Sequence, residues 1–201
     1  MMTVIMVHVT NLTSGVANPT GRARFAETST VEEWRARGAS LLSTHRNFEA
    51  AATCFRNAGD VAGWLSATAE ARRARANAAG SASAAADDLD AAARCYLMHA
   101  AAVDAPANGG AGGGGGGGGG SGGSAAEICG ALVKAAHCLH RLRRYADAAA
   151  ALELVGCRSA AAACHLAAAA AANVDDAEEK KAAGSIDWTE VQRVARVAAT
   201  R

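Results

Sequence analysis

Cys138, His140, Cys157, Cys164 and His165 are the residues of this chain best suited to chemistry, because thiolates and imidazoles hold zinc and thiolates attack carbonyl carbon. Zinc modules pair their ligands as C-x2-4-C or H-x3-5-H, and none of these gaps has that spacing. A nucleophile made from Cys138 with His137 or His140 needs a third group to orient the base and donors for an oxyanion, and sequence neighbours on a helix point in different directions. The acidic pairs Glu32-Glu33, Asp87-Asp88 and Glu178-Glu179 sit at helix starts or in charged stretches, where the helix dipole and water account for them. The Gly-rich run from Gly109 to Ser124 lacks the Lys-Ser/Thr ending and the preceding strand of a phosphate loop. The residues therefore offer no catalytic constellation, no cofactor site and no metal site, and the chain reads as not an enzyme. Cys54 and Cys95 point elsewhere: each precedes an aromatic residue, Phe55 and Tyr96, and they lie 41 positions apart, as small buried side chains reused by a repeat would.

The elements that place these residues are helices. Trp34, Gly38, Leu41 and Leu42 fall at the spacing of one helical face, and Phe48, Ala51, Ala52, Phe55 and Ala58 form a second. The break at His45-Arg46-Asn47 leaves room only for an antiparallel turn, so the pair reads as a helical hairpin. Ser29 with Glu32 and Thr30 with Glu33 each fit a capping box that starts the first helix. A third helix begins near Val61, turns Trp64, Leu65 and Thr68 to one side and fades by Gly80. A fourth, over about 86–103, carries Leu89, Ala92, Tyr96 and His99, and Pro106 ends it. Beyond the Gly run, Ile128, Leu132, Ala135, Leu139 and Leu142 share a face. Tyr145, Ala148, Leu152, Val155 and Gly156 then copy Phe48, Ala51, Phe55, Ala58 and Gly59 position for position. Ala51, Ala92 and Ala148 recur with a period near 40 once the Gly run is set aside, in the range of helical solenoids. Residues 158–172 read as an Ala-rich helix. A last helix, capped by Ser185 or Asp187, turns Trp188, Val191, Val194, Ala195 and Ala198 inward and acts as a terminal cap, with Glu190, Arg193 and Arg196 outward.

Lys plus Arg is 20 and Asp plus Glu is 19. A formal charge of +1 supplies no field that would gather nucleic acid. The clusters Arg72, Arg73, Arg75 and Arg141, Arg143, Arg144 read as solvated helix faces. Most of the hydrophobic content is Ala, with aromatics only 4%, so the core stabilises little per residue and the fold leans on helix propensity. Six cysteines without a secretory signal indicate a reducing compartment, intracellular in the cytoplasm or nucleus. The apolar start MMTVIMVHVT reads as one strand, lacks a basic n-region and is too short to span a bilayer, so no membrane partner is expected.

Trp34, Gly38, Ala51, Phe55 and Ala58 match the small and aromatic positions of a tetratricopeptide unit, with Arg37 in place of its Leu and one extra turn residue. With LDAAARCYLMHA and AAEICGALVKAAHCLHRLRRYADAAAALELVG, the stretch STVEEWRARGASLLSTHRNFEAAATCFRNAGDVAGWL resembles the helical repeat region of large tetratricopeptide-and-ankyrin-repeat proteins, over residues 25–172. In that family the repeats follow a UvrD-like, superfamily-one helicase module. The resemblance implies an all-α fold of antiparallel hairpins stacked as a tetratricopeptide-like solenoid; the Gly-rich run departs from the family and reads, from its composition, as a disordered insert that interrupts the stack. The expected divisions are an apolar strand-like segment and loop over 1–28, repeats over 29–105, the insert over 106–124, repeats over 125–172, and a charged linker with a capping helix over 173–201. The structural positions are Trp34, Gly38, Phe48, Ala51, Phe55, Ala58, Trp64, Leu89, Ala92, Tyr96, Tyr145, Ala148, Leu152 and Val155. The resemblance further implies a fragment of a larger helicase-associated protein that serves as a scaffold for an unidentified protein partner. The alternative is an accessory region of a helicase that engages nucleic acid only through its larger parent. No Walker loop is present, so the family's ATPase activity does not carry over.

Overall fold

The computed structural model describes residues 29–104, 125–172, 183–184 and 186–199. The expected strand, the loop to residue 28, the Gly-rich insert and the charged stretch 173–182 lie outside them. Among the described residues all regular structure is helical: α1 Val31–Ser43, α2 Phe48–Asn57, α3 Val61–Ala78, α4 Ala82–Asp104, α5 Ala125–Arg141, α6 Tyr145–Leu154, α7 Arg158–Ala172 and α8 Trp188–Ala198. None is long and apolar enough to cross a membrane.

The helix starts follow from local hydrogen bonding. Thr30 and Glu33 exchange two bonds, the Glu33 amide donating to Thr30 Oγ1 at 3.2 Å and the Thr30 amide to the Glu33 carboxylate at 2.8 Å. Asn47, Asp60 and Asp187 cap α2, α3 and α8 with a side-chain oxygen alone, accepting from amides of the first turn, and each such cap contributes about 1 kcal/mol. The fourth helix starts four residues before its apolar pattern, because Ser81 Oγ accepts from the Ala84 amide and the Ala-rich stretch that follows has the propensity to extend it.

From α1 to α7 each helix packs against the next, and this includes α4 against α5 on either side of residues 105–124. The two ends of that run share one geometry. Arg46 and Arg143 both take left-handed φ values, 49° and 58°, at the turns into α2 and α6. Gly59 and Gly156, at 67° and 74°, close those helices, where a side chain would be strained. The amides of Asp60 and Cys157 each donate at 2.9 Å to Phe55 and Leu152. A spacing of 97 residues relates all of these pairs, so α1–α3 recurs as α5–α7.

Ala51, Ala92, Ala148 and Leu152 are fully buried, and Phe55, Ala58, Leu89, Tyr96, Tyr145 and Val155 are at most 7% exposed. Gly38 is buried, while Trp34, Phe48 and Trp64 are half-buried. Thr68 is half-buried too, and the buried positions of α3 are Leu65, Ala67, Ala69, Glu70, Ala71 and Ala76. They fall on more than one side because α3 is a shared wall: Ala67 joins the core of α1 and α2, and Ala69 and Ala76 join the core beyond. Helix α5 likewise buries Val133 and Cys138 besides its expected face, since α4, α6 and α8 surround it.

Phe55 anchors the first core. Its ring lies between α1 and α3, so close that a Cβ on Gly38 would sit 3.0 Å from Cε1 and one on Gly63 would sit 2.6 Å from Cδ1. The near atoms on the Gly63 side are at the root of the ring and cannot swing clear. Gly63→Ala is therefore expected to lose about 1–3 kcal/mol by overpacking, outweighing the gain in helix propensity. Gly130→Ala, with nothing within 4 Å, is expected to gain about 0.5–1 kcal/mol. Urea denaturation followed by circular dichroism measures both, and equal effects would contradict the packing.

Candidate interaction surface

Helices α3 and α5 meet through side chains that the apolar pattern passes over. Glu70 is 9% exposed, and its carboxylate accepts from Arg73 and from Lys134 of α5, each at 2.7 Å. Burial alone would raise its pKa, but the bonds and charges of Lys134 and Arg73 outweigh burial and hold it below 4.5. The Lys134 ammonium also lies 5.6 Å over the Tyr96 ring, whose hydroxyl burial and Glu70 push above its ordinary value. Seven residues along from Glu70 and Lys134, Asn77 accepts from Arg141, a second bridge between the same helices.

His99, 4% exposed, is a further linking residue. Its Nδ1 stands 3.0 Å from the Ala62 carbonyl oxygen at the start of α3, and its Nε2 stands 3.3 Å from the Glu127 carboxylate on α5. The sequence signal was a histidine where the repeat favours a small residue. Spacing could not reveal that it joins three helices.

The arginine clusters are largely occupied by carboxylates of this chain. Arg72 and Arg75 reach Asp88 at 2.9 and 3.5 Å, Arg73 reaches Glu70, and Arg144 reaches both Asp90 at 2.8 Å and Asp147 at 2.7 Å.

The thiols are spread through the helices. Cys54, Cys138, Cys157 and Cys164 are buried, Cys95 is half-buried, and burial pushes Cys138 and Cys164 up to about 11. These thiols are almost wholly protonated at neutral pH and poor nucleophiles. His165 is exposed and pairs with Glu153 at 3.1 Å. Among the described residues no three Cys, His, Asp or Glu side chains converge as metal ligands would.

Imidazoles and an indole gather where α8 meets α5. Helix α8 has its main packing on α5, and the Cys157 thiol ahead of α7 lies 3.7 Å from the Val191 carbonyl oxygen. Val191 and Ala195 are buried, and Trp188 and Val194 half-buried. The Trp188 ring stands 4.8 Å from His137 and 5.4 Å from His140, and His140 also meets Tyr145 edge-on at 5.3 Å. His140 Nε2 is buried without a hydrogen-bond partner. Burial holds both imidazoles below 6.5. The charges of Arg141, Arg73 and His140 add to it at His137, and a backbone bond from Ala183 opposes it at His140.

A depressed histidine pKa in the docked state means that the undocked state takes up more protons as acid is added. The burial of these imidazoles is thus expected to favour docking of α8 fully above pH 6.5 and to weaken it as pH falls through the two depressed values. Alkylation of Cys157 beneath α8 is expected to speed up between about pH 7.5 and 5 relative to Cys164, with helix content retained, once rates are corrected for thiolate fraction. A rate ratio flat with pH would contradict this. Separately, Lys134→Ala leaves Glu70 with Arg73 alone and is expected to cost about 1–2 kcal/mol in denaturant titrations. Comparison with protein-family models, with curated proteins and with solved structures finds no match to the chain.

Proposed function

We propose that this chain is a non-catalytic scaffold for protein–protein interaction, its hairpins stacked as a tetratricopeptide-like solenoid within a larger helicase-associated protein. The observation that carries the reading is the recurrence of α1–α3 as α5–α7, with matching left-handed turns and matching small and bulky side chains. Repeated helix pairs of this kind stack by burying the same faces and leave the first helices of successive pairs along a common surface. Ion pairs and hydrogen bonds from α3 to α5, and from Asp90 on α4 to Arg144 ahead of α6, are those expected of such a stack.

The side chains that could do chemistry support a binding role. The most buried thiols are held protonated, and the imidazoles of α5 pack against aromatic rings. Four of the six clustered arginines, Arg72, Arg73, Arg75 and Arg144, meet acidic groups of the same chain, which leaves less charge for a phosphate backbone.

Two measurements test the reading. The full chain used as bait is expected to retain specific protein partners, Phe55→Asp to lose them by unfolding the first hairpin, and Arg94→Glu on exposed α4 surface to keep them. Full binding by Phe55→Asp would contradict the proposal. In fluorescence anisotropy at low salt the chain is expected not to bind labelled single-stranded DNA. Tight binding that weakens steeply with salt would favour the nucleic-acid role instead.

A further inference from the structure

We infer that the seam across which α5 meets α3 and α4 is also an interface between two copies of this chain, which pair by exchanging α5–α8. The fold itself shows what the seam accepts: α5, whose Ala135, Ala136 and Leu139 share one core with Ala92, Ala93 and Tyr96 of α4. A neighbour's α5 makes the same contacts as the chain's own, and only the connection between the halves differs. That connection, residues 105–124, is dominated by Gly, a composition that sets no fixed path from α4 to α5. The pairing goes beyond the scaffold reading, which concerns a different protein as partner.

The two faces of the seam are complementary in charge as well as in fit. Cations of the second half meet acceptors of the first: Lys134 reaches Glu70 at 2.7 Å, Arg144 reaches Asp90 at 2.8 Å, and Arg141 donates to Asn77. In the opposite sense, Glu127 stands 3.3 Å from buried His99. An apolar centre with paired polar groups about it is the anatomy of an interface between separate proteins, where such pairs fix register and reject wrong partners.

The repeat itself supplies a wrong partner. Helix α1 is the counterpart of α5, and seating it on a neighbour's α4 would leave both ends open and add chain after chain. At the places of Glu127, Arg141 and Arg144 the first repeat offers Thr30, Thr44 and Asn47, and Thr30 and Asn47 are engaged in capping α1 and α2. His99 and Asn77 would lose the partners that α5 gives them. Exchange of second halves avoids this loss and closes on two copies.

Full-length chains with one pair reversed test the exchange. A Glu70→Lys chain and a Lys134→Glu chain each set like charges against each other across their own seam, whereas halves from the two different chains match. Refolded together at about 50 µM, they are expected to form a heterodimer in sedimentation velocity, about tenfold tighter than either chain pairs with itself. The chain carrying both substitutions holds a matched pair within itself and is expected to be monomeric at that concentration. A mixture that stays monomeric would overturn the inference. Wild-type chains give a readout free of substitutions, because exchange competes with closure within one chain at an effective concentration of about 1 mM. Donor- and acceptor-labelled wild-type chains refolded together at about 1 mM are expected to show fluorescence energy transfer and to lose it after refolding at about 10 µM. No transfer at the higher concentration would overturn the inference as well. Should the copies fail to pair while the bait experiment still retains other proteins, the scaffold reading stands without this interface.

Discussion

A phenyl ring held between two glycines is the constraint on which the first half of the molecule depends. Phe55 touches α1 through Gly38 and α3 through Gly63, and the absence of Cβ atoms lets both backbones close on the ring. A single large side chain thereby sets the separation of three helices. Few other bulky groups are present, so the rest of this core is Leu41, Ala50, Ala51, Ala52, Cys54 and Ala67, with Trp34, Leu42 and Trp64 packed at its margin. Alanine buries little apolar area, and such a core owes its order to close backbone approach.

The second half depends on polar groups at a comparable depth. Glu70 joins α3 to α5, and His99 joins α4 to both. A carboxylate at 9% exposure is costly to bury alone, and two cations at 2.7 Å offset that cost. These bonds fix how α5 sits on α3 and α4, where small apolar surfaces alone would permit sliding. Contacts among these helices hold the chain together on either side of residues 105–124.

Helix α8 shows the same economy of side chains. It rests on α5 through an indole and two small buried residues, with space on both flanks. The histidines beneath it are packed against its indole, and burial holds their pKa values below 6.5.

Composition and spacing alone determined that the chain is helical, where most helices begin and end, and which of Ala51, Phe55, Ala92, Tyr96, Ala148 and Leu152 would be buried. Caps, turns and a 3.6-residue period act within a few positions of one another, and a sequence displays them directly. The long-range partners were illegible. Glu70 looked like any acidic residue on a helix, and only the approach of α5 buries it against Lys134. The pattern pointed α8's apolar face inward without naming what it would meet, and its seat on α5 depends on side chains about fifty positions away. Trp64 and Phe48 satisfied the period yet end half-exposed, because none of the described helices covers that part of their faces completely. Tertiary packing decided these matters, since burial of a charge or a ring is a property of several helices together and is written in none of them singly.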